Sequence, residues 1–481
     1  MNDTTVVLAT LIVYNAILIG VGFWARNRNR SVEDFYLAGR RLGPWVAAIS
    51  ASASSSSAWT LLGVSGAAYA WGLPALWLFP ATVGGFVINW VWVAPRLQVL
   101  ARSEGAITLS AVVAPPMLGA QRELILRVAA AIIVFSFVFY IASQFEAAGK
   151  AFESTFGLSK QNSILVGAAV VMAYTLLGGF WAVSVTDTVQ GLLMVVAAVV
   201  MPVAALLAVG GVGPLLDGLA ARGGPSIPAG QFSGLTGFFF VLGLFGITIG
   251  YPGQPHVVNR YMALRDAVSL RQGRVIALCW AALVYTGMLT LGLCARVLLD
   301  DLGDSEQVLF ETARLLLPAV IGAVMLAAVL SAIMSTADSQ LLVASSAISH
   351  DWKLASGGPV NGLAGSRITV IVVLMLATIL ALLWRADIFS RVLFAWVALG
   401  SALGPILVVR LCGRAISARG TLAAMLTGFS TTLVLSWMPD TPGDVAERIV
   451  PFVLALLIAV STSRRGGALP CQPAGTGLKQ R

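Results

Sequence analysis

Stretches of roughly 20 apolar residues recur along the chain, separated by short polar segments. A helix of about 20 apolar residues crosses the hydrocarbon core of a bilayer, because each residue adds about 1.5 Å. Thirteen such spans are predicted, centred near Leu18, Ser57, Gly84, Val138, Val170, Val196, Leu242, Tyr285, Val329, Leu374, Leu399, Met425 and Leu456. The first, Val6 to Trp24, lies where a signal peptide would. Its basic residues follow it rather than precede it, and it shows no evident small-residue cleavage site, so it reads as a permanent span. The expected fold class is an all-α polytopic membrane protein: one transmembrane domain over residues 1–465, then a cytoplasmic tail over 466–481.

The loops alternate in charge. Loop one carries Arg26, Arg28, Arg30, Arg40 and Arg41, and loop three is flanked by Arg96, Arg102, Arg122 and Arg127. Loop seven carries Arg260, Arg265, Arg271 and Arg274; loop eleven carries Arg410, Arg414 and Arg419; the tail begins with Arg464 and Arg465. Acids gather instead in loop eight (Asp300, Asp301, Asp304, Glu306, Glu311) and loop twelve (Asp440, Asp444, Glu447). Basic loops face the cytoplasm, so the N-terminus is expected outside and the C-terminus inside a bacterial-type inner membrane. Spans two to six and seven to eleven then form two sets of five, over about 43–210 and 234–411. An odd set size inserts the second set upside down relative to the first, the plan of many secondary transporters.

Composition agrees: 58% of residues are hydrophobic and only 11% charged, about half the charge usual in a soluble domain. In a soluble protein the net charge of +9 would suggest nucleic acid. Here the basic residues serve topology, and the expected partners are the lipid bilayer, a small-molecule solute and a cation. Cys279, Cys294, Cys412 and Cys471 have no metal-ligand spacing and are expected as free thiols. His256 and His350 are too far apart in sequence to suggest a zinc site.

A transport site needs polar groups at mid-membrane depth, and an interrupted helix supplies them from its own backbone. In Ser50-Ala51-Ser52-Ala53-Ser54-Ser55-Ser56-Ser57-Ala58-Trp59, six of eight residues from Ser50 to Ser57 are serine. Serine hydroxyls compete for backbone hydrogen bonds and loosen a helix; the alternative is a small-residue packing face. In Ile249-Gly250-Tyr251-Pro252-Gly253-Gln254-Pro255-His256, paired prolines and glycines oppose a regular helix; the alternative is a loop just outside the membrane. In span nine Ser331, Ser335 and Ser339 share one stripe, with Thr336 beside them and Asp338 in the same apolar run. In span four Tyr140, Ser143 and Gln144 share a face, whereas Glu146 and Lys150 are expected to neutralise each other. Asp187 falls where span six should begin, so a helix-capping role and a place on a cation path both stand.

These segments resemble the sodium:solute symporter family, and its sodium/proline symporter branch in particular. The likeness rests on Asp34-Phe35-Tyr36-Leu37-Ala38-Gly39-Arg40-Arg41-Leu42-Gly43-Pro44, the Gly178-Gly179-Phe180-Trp181-Ala182-Val183-Ser184 turn with Thr186-Asp187, Gly253-Gln254-Pro255-His256, and Met334-Ser335-Thr336 leading to Gln340-Leu341-Leu342. The resemblance implies a five-plus-five inverted repeat of the leucine-transporter type. It also implies a sodium ion held by Ala53, Ser56, Ala332, Ser335 and Thr336, with Asp187 on the cation's path. The matching solute positions are Ser57, Trp59, Tyr140, Gln144, Ile247, Tyr251 and Pro255. Three departures from the proline branch stand out: Ser55 replaces an aspartate, Ile247 a tryptophan and Gln144 a glycine. The expected function is cation-coupled import of a small carboxylate-bearing solute, proline first, with another amino acid or a monocarboxylate as the alternative. Sodium is the expected coupling ion, with no organic cofactor. A sensor without transport and a passive channel are the rival classes. No paired acids, nucleophile elbow or metal cluster suggests an enzyme.

Overall fold

The computed structural model describes residues 3–26, 32–115, 118, 121–175, 179–222, 234–352, 363–384, 387–439 and 441–465. Helical segments stand at all thirteen expected places. Span one is Asp3–Arg26. Span two runs through Pro44–Ala58 and Trp59–Gly63 to Val64–Trp71, and span three ends with Ala94–Ser103. Spans four, five and six are Gln121–Phe156, Lys160–Thr175 and Phe180–Val209. Span seven is divided into Gly234–Gly250, Tyr251–Gly253 and Pro255–Ala263. Spans eight to eleven are Ala267–Leu298, Ala319–Ser346, Leu363–Leu383 and Ile388–Leu411. Ala418–Leu435 and Val445–Ser461 complete the set. Among the described residues, seven helices are long and apolar enough to cross a membrane unaided. Span two falls short because serine dilutes it, and spans five and thirteen because they run only 16 and 17 residues. The two sets of five each open with an interrupted helix and form the five-plus-five inverted repeat of the leucine-transporter-type fold.

Span nine forms the axis of the bundle. Every residue from Met325 to Ser346 is buried, and spans one, two, four, six and ten pack around it. Its polar groups turn inward rather than to one outer face, and its small serines and alanines let neighbouring backbones approach.

The basic loops converge on one end of the bundle. The Leu42 N–H donates to the Ala263 carbonyl and the Arg265 N–H to that of Leu42, both at 3.1 Å. Arg102 donates to the Leu264 and Arg265 carbonyls at 2.7 Å. Arg410 pairs with Glu104 at 2.5 Å. Residues Arg414–Ile416 form an antiparallel ribbon with Ser463–Arg465, which joins loop eleven to the start of the tail. Acidic loop eight lies at the opposite end. There the Tyr69 hydroxyl donates to the Asp300 carbonyl at 2.7 Å, and Lys150 lies 2.6 Å from both Asp304 and Glu306.

Two sequence-based expectations are corrected here. Glu146 and Lys150 do not neutralise each other: Lys150 reaches loop eight, and Glu146 pairs with Lys160 at the start of span five. An i,i+4 pair within one helix is worth only about 0.5 kcal/mol, and each side chain finds an opposite charge on a neighbouring element. Arg260, assigned to loop seven, instead lies on the helix Pro255–Ala263 and is fully buried. Cys279, Cys294 and Cys412 are free thiols; Cys471 and the tail from residue 466 lie outside the described residues.

Glu306 fastens the acidic end, since its carboxylate binds Lys150 and accepts the Phe389 N–H at 2.9 Å. Burial pushes its carboxyl above the ordinary glutamate value, against the opposing pull of Lys150. Because the folded protein holds this proton more tightly than the unfolded chain, the contribution is present below the ordinary value and lost as pH rises through the raised one. Melting temperatures of the purified protein across the carboxylate range should show that decline, and Glu306→Gln should flatten it.

Candidate functional site

The break in span two falls at Ser57. Its φ of +38° and ψ of −175° are strained for a residue with a side chain. Here the helix stops and starts again, and the first amides of the second half draw on side-chain oxygens, the Trp59 N–H pointing also to the Ser56 carbonyl. Ser57 acts as the cap of the second half, its Oγ accepting the Trp59 N–H at 3.1 Å. The Ala58 N–H goes to Oε1 of Gln144 on span four at 3.1 Å. The Tyr140 hydroxyl, one turn before Gln144, donates to the Ser57 Oγ at 3.4 Å. Tyr140 and Gln144 therefore share the face the sequence assigned them, and that face meets the break. The third member, Ser143, turns its hydroxyl back to the Tyr140 carbonyl at 2.6 Å.

The break in span seven is buried among helices, so the reading as a loop outside the membrane is set aside: Tyr251, Pro252, Gly253, Gln254, Pro255 and His256 are all buried. Three of its carbonyls find side-chain donors. Trp396 Nε1 donates to the Ile247 carbonyl at 3.1 Å, Asn89 Nδ2 to that of Tyr251 at 3.1 Å, and Gln254 Nε2 to those of Gly250 and Trp396 at 3.2 and 2.8 Å. The backbone comes so close to span eleven that a Cβ on Gly253 would lie 2.7 Å from the Gly400 Cα, so glycine is required there. The Tyr251 ring lies over Gly85, where a Cβ would strike it, and packs edge-on against Trp396 at 4.7 Å.

Tyr140 links the two breaks. Its hydroxyl reaches Ser57 and its ring lies 6.1 Å edge-on from His256, the residue after Pro255. Trp59, one residue after the Ala58 amide, instead packs tilted against Phe389 at 5.3 Å. Ile247 is buried a turn before the second break, where Trp396 takes its carbonyl.

Span nine meets the first break from the other side. The Thr336 hydroxyl donates to the Ser54 carbonyl at 3.1 Å, and the Ser335 hydroxyl to that of Ala332 at 3.3 Å. Ala53, Ser56, Ala332, Ser335 and Thr336 are all fully buried. Their carbonyl and hydroxyl oxygens are the donors a hard cation takes. The Ser55 hydroxyl turns back to the Ser52 carbonyl at 3.0 Å. The rest of the serine stripe serves other tasks: Ser331 bonds the Tyr14 hydroxyl of span one at 2.7 Å, and Ser339 joins a buried ion pair.

That ion pair is Asp187 with Arg260, 3.0 Å apart and both fully buried. Ser50 donates to the same Asp187 oxygen at 2.7 Å, and Arg260 donates to Ser339 at 2.5 Å, to Ser50 at 3.1 Å and to the His256 carbonyl. Spans two, six, seven and nine thus meet in one polar knot. The capping role for Asp187 is set aside, because Phe180–Val209 begins seven residues earlier with Gly179 as its cap. Sequence reasoning gave no site role to Asn89, Arg260 or Trp396, and placed Gln254 in the break without a role of its own. A polar Asn89 inside an apolar span was a local signal; nothing local marks Trp396.

A model of the sodium:solute symporter family matches residues 35–428. The sodium/proline symporter of Escherichia coli (strain K12) is 34% identical over 479 residues, covering 95% of this chain and 94% of that protein. The osmoregulated proline transporter OpuE of Bacillus subtilis (strain 168) is 32% identical over 472 residues, with coverage of 95% and 94%. Among solved structures, a sodium-coupled sialic acid symporter in a substrate-bound outward-open state superposes with a TM-score of 0.79 at 16% identity, covering 96% of this chain and 99% of that one. The nucleobase-cation-symport transporter MHP1 superposes at 0.55 with 13% identity, covering 89% and 93%.

Removing one partner of a buried ion pair strands the other charge, a loss of about 3–5 kcal/mol, whereas replacing both is far milder. Arg260→Met should therefore lower the melting temperature of the purified protein sharply. Adding Asp187→Asn should recover much of the loss; equal melting of the single and double variants would show that the pair is not coupled in the fold.

Proposed function

The chain belongs to the sodium:solute symporter family, and from that premise we propose that it imports a small carboxylate-bearing solute, L-proline first, coupled to sodium by alternating access. It is a multi-pass transporter of the cell membrane, not an enzyme. The observation that carries the reading is the meeting of two interrupted helices at Tyr140, with Thr336 fastening span nine to the first of them. Both named bacterial relatives carry proline in their descriptions. Another amino acid or a monocarboxylate remains the second reading, because Gln144 and Ile247 alter the space around the breaks.

In this reading sodium lies between spans two and nine, held by the carbonyls of Ala53, Ser56 and Ala332 and the hydroxyls of Ser335 and Thr336. The five oxygen donors supply no full negative charge, and Ser55 adds none. Asp187 lies on the cation's path toward the basic end, where opening must first separate it from Arg260. The solute sits between spans two, four and seven, against Ser57, Trp59, Tyr140, Gln144, Ile247, Tyr251 and Pro255, its carboxylate toward the positive end of the restarted helix. Transport requires the tied ends to open in turn. Sodium drives it only by binding one state more tightly than the other. The basic end faces the cytoplasm, which leaves the N-terminus outside. The working unit is a single domain over 1–465, with repeats over about 43–210 and 234–411.

Uptake of a solute panel into proteoliposomes, with and without a sodium gradient, tests this function. Thr336→Ala should raise the half-saturating sodium concentration about 10-fold, for one lost ligand of about 1.4 kcal/mol. Uptake indifferent to sodium and driven by a proton gradient would overturn the sodium assignment.

Orientation has its own test. In a background cleared of the native cysteines, Asp301→Cys should react with an impermeant thiol reagent on intact cells, and Arg419→Cys only after the membrane is opened. The reverse pattern would invert the topology.

A further inference from the structure

The restarted half of span two has its amides already occupied. Gln144 Oε1 accepts the Ala58 N–H at 3.1 Å, and Ser57 Oγ accepts that of Trp59. The Gln144 amide is fully buried and held from its other side, where its Nε2 donates to the Ser143 Oγ at 3.2 Å. Ser143 donates in turn to the Tyr140 carbonyl. A side chain pinned in this way, aimed from span four across to span two, is not a spare pocket wall. It fills the place of an acceptor.

We infer that Gln144 is a built-in stand-in for the solute's acceptor group: it holds the Ala58 N–H until an oxygen of the solute displaces it, and so sets which solutes bind. The inference rests on the functional reading above and deepens it. An N–H bond to an ionised carboxylate is roughly twice as strong as one to a neutral carbonyl. A carboxylate therefore displaces the glutamine oxygen, while an ester or a primary amide of the same solute only matches it. Gln144 in this way cancels what a neutral analogue would gain at the break, while a carboxylate keeps a net gain. A residue that instead bound the solute directly would give the opposite sign on removal.

The experiment is equilibrium binding of L-proline, a set of monocarboxylates and L-proline methyl ester to the purified full-length protein in sodium. The variants are Gln144→Met, close in shape without the amide oxygen, and Gln144→Gly, in case methionine packs poorly. Both should bind the carboxylate solute about 5- to 10-fold more tightly than the wild type, the loss of one competing neutral hydrogen bond. Methyl ester binding should rise by no more than the same factor, because both solutes displace the same competing bond. Amide hydrogen exchange of the peptide spanning Ala58, without solute, should be faster in both variants and slow again when solute is added. Binding that weakens or stays unchanged in both variants, or exchange that does not accelerate, overturns the inference. A wild type that binds none of the carboxylates overturns the functional reading itself, and this inference with it.

Discussion

Inside an apolar layer there is no water to satisfy a backbone N–H or carbonyl, so a helix that stops there must find partners on its neighbours. The rest of this molecule is arranged around that demand. Span two stops at Ser57; the Trp59 amide goes to Ser57 and Ser56, and the Ala58 amide to Gln144 of span four. Span seven stops at Tyr251, and its orphaned carbonyls go to Asn89 of span three, Gln254 of its own loop and Trp396 of span eleven. Each break thereby recruits a specific neighbour. Those recruitments hold the two interrupted helices against spans three, four and eleven.

The same demand explains why so many polar groups are buried without forming a conventional catalytic cluster. Among the described residues no group of three or more histidine, cysteine or acidic side chains is placed to hold a metal. What the breaks offer is carbonyls, hydroxyls and the side-chain amides of Asn89, Gln144 and Gln254. Such groups bind a cation or a carboxylate weakly enough to release it, which transport requires and which a dense cluster of charges would oppose. The fully buried ion pair of Asp187 with Arg260 is walled in by Ser50, Ser339 and the His256 carbonyl. It ties together the two interrupted helices, span six and span nine between the breaks and the basic end. A buried pair is costly to break by halves, so it suits a joint that stays closed until all its members move.

Membership in the sodium:solute symporter family fixes the general scheme, and the departures from the proline branch give this chain its character. Ser55 keeps its hydroxyl within its own helix and contributes no charge beside the proposed cation ligands. Gln144 does more, because it takes up an amide at the break. The space around Ile247 is crossed by Trp396, whose indole bonds the carbonyl of that residue and packs against Tyr251. An aromatic ring thus stands over the second break, supplied by a different span.

The sequence by itself determined the features that depend on local spacing. Runs of about 20 apolar residues gave the spans, clustered serines and the proline–glycine pairs gave the two breaks, and alternating charge grouped the loops by end, as the ties of Leu42 to Ala263 and of Lys150 to Glu306 bear out. The i, i+4 spacing of Tyr140 and Gln144 put them on one face. Spacing says nothing about what that face meets. Asp187 and Arg260 are 73 residues apart, and read locally one was a cap or a cation-path acid and the other a loop charge. Glu146 and Lys150 sit at ideal spacing for each other, yet bind elsewhere. Trp396 is one more apolar residue in an apolar helix until the fold lays it against span seven. Only the tertiary structure decided these partners, because a polar group shut away from water takes whichever complementary group the packing brings within reach, however distant in the chain.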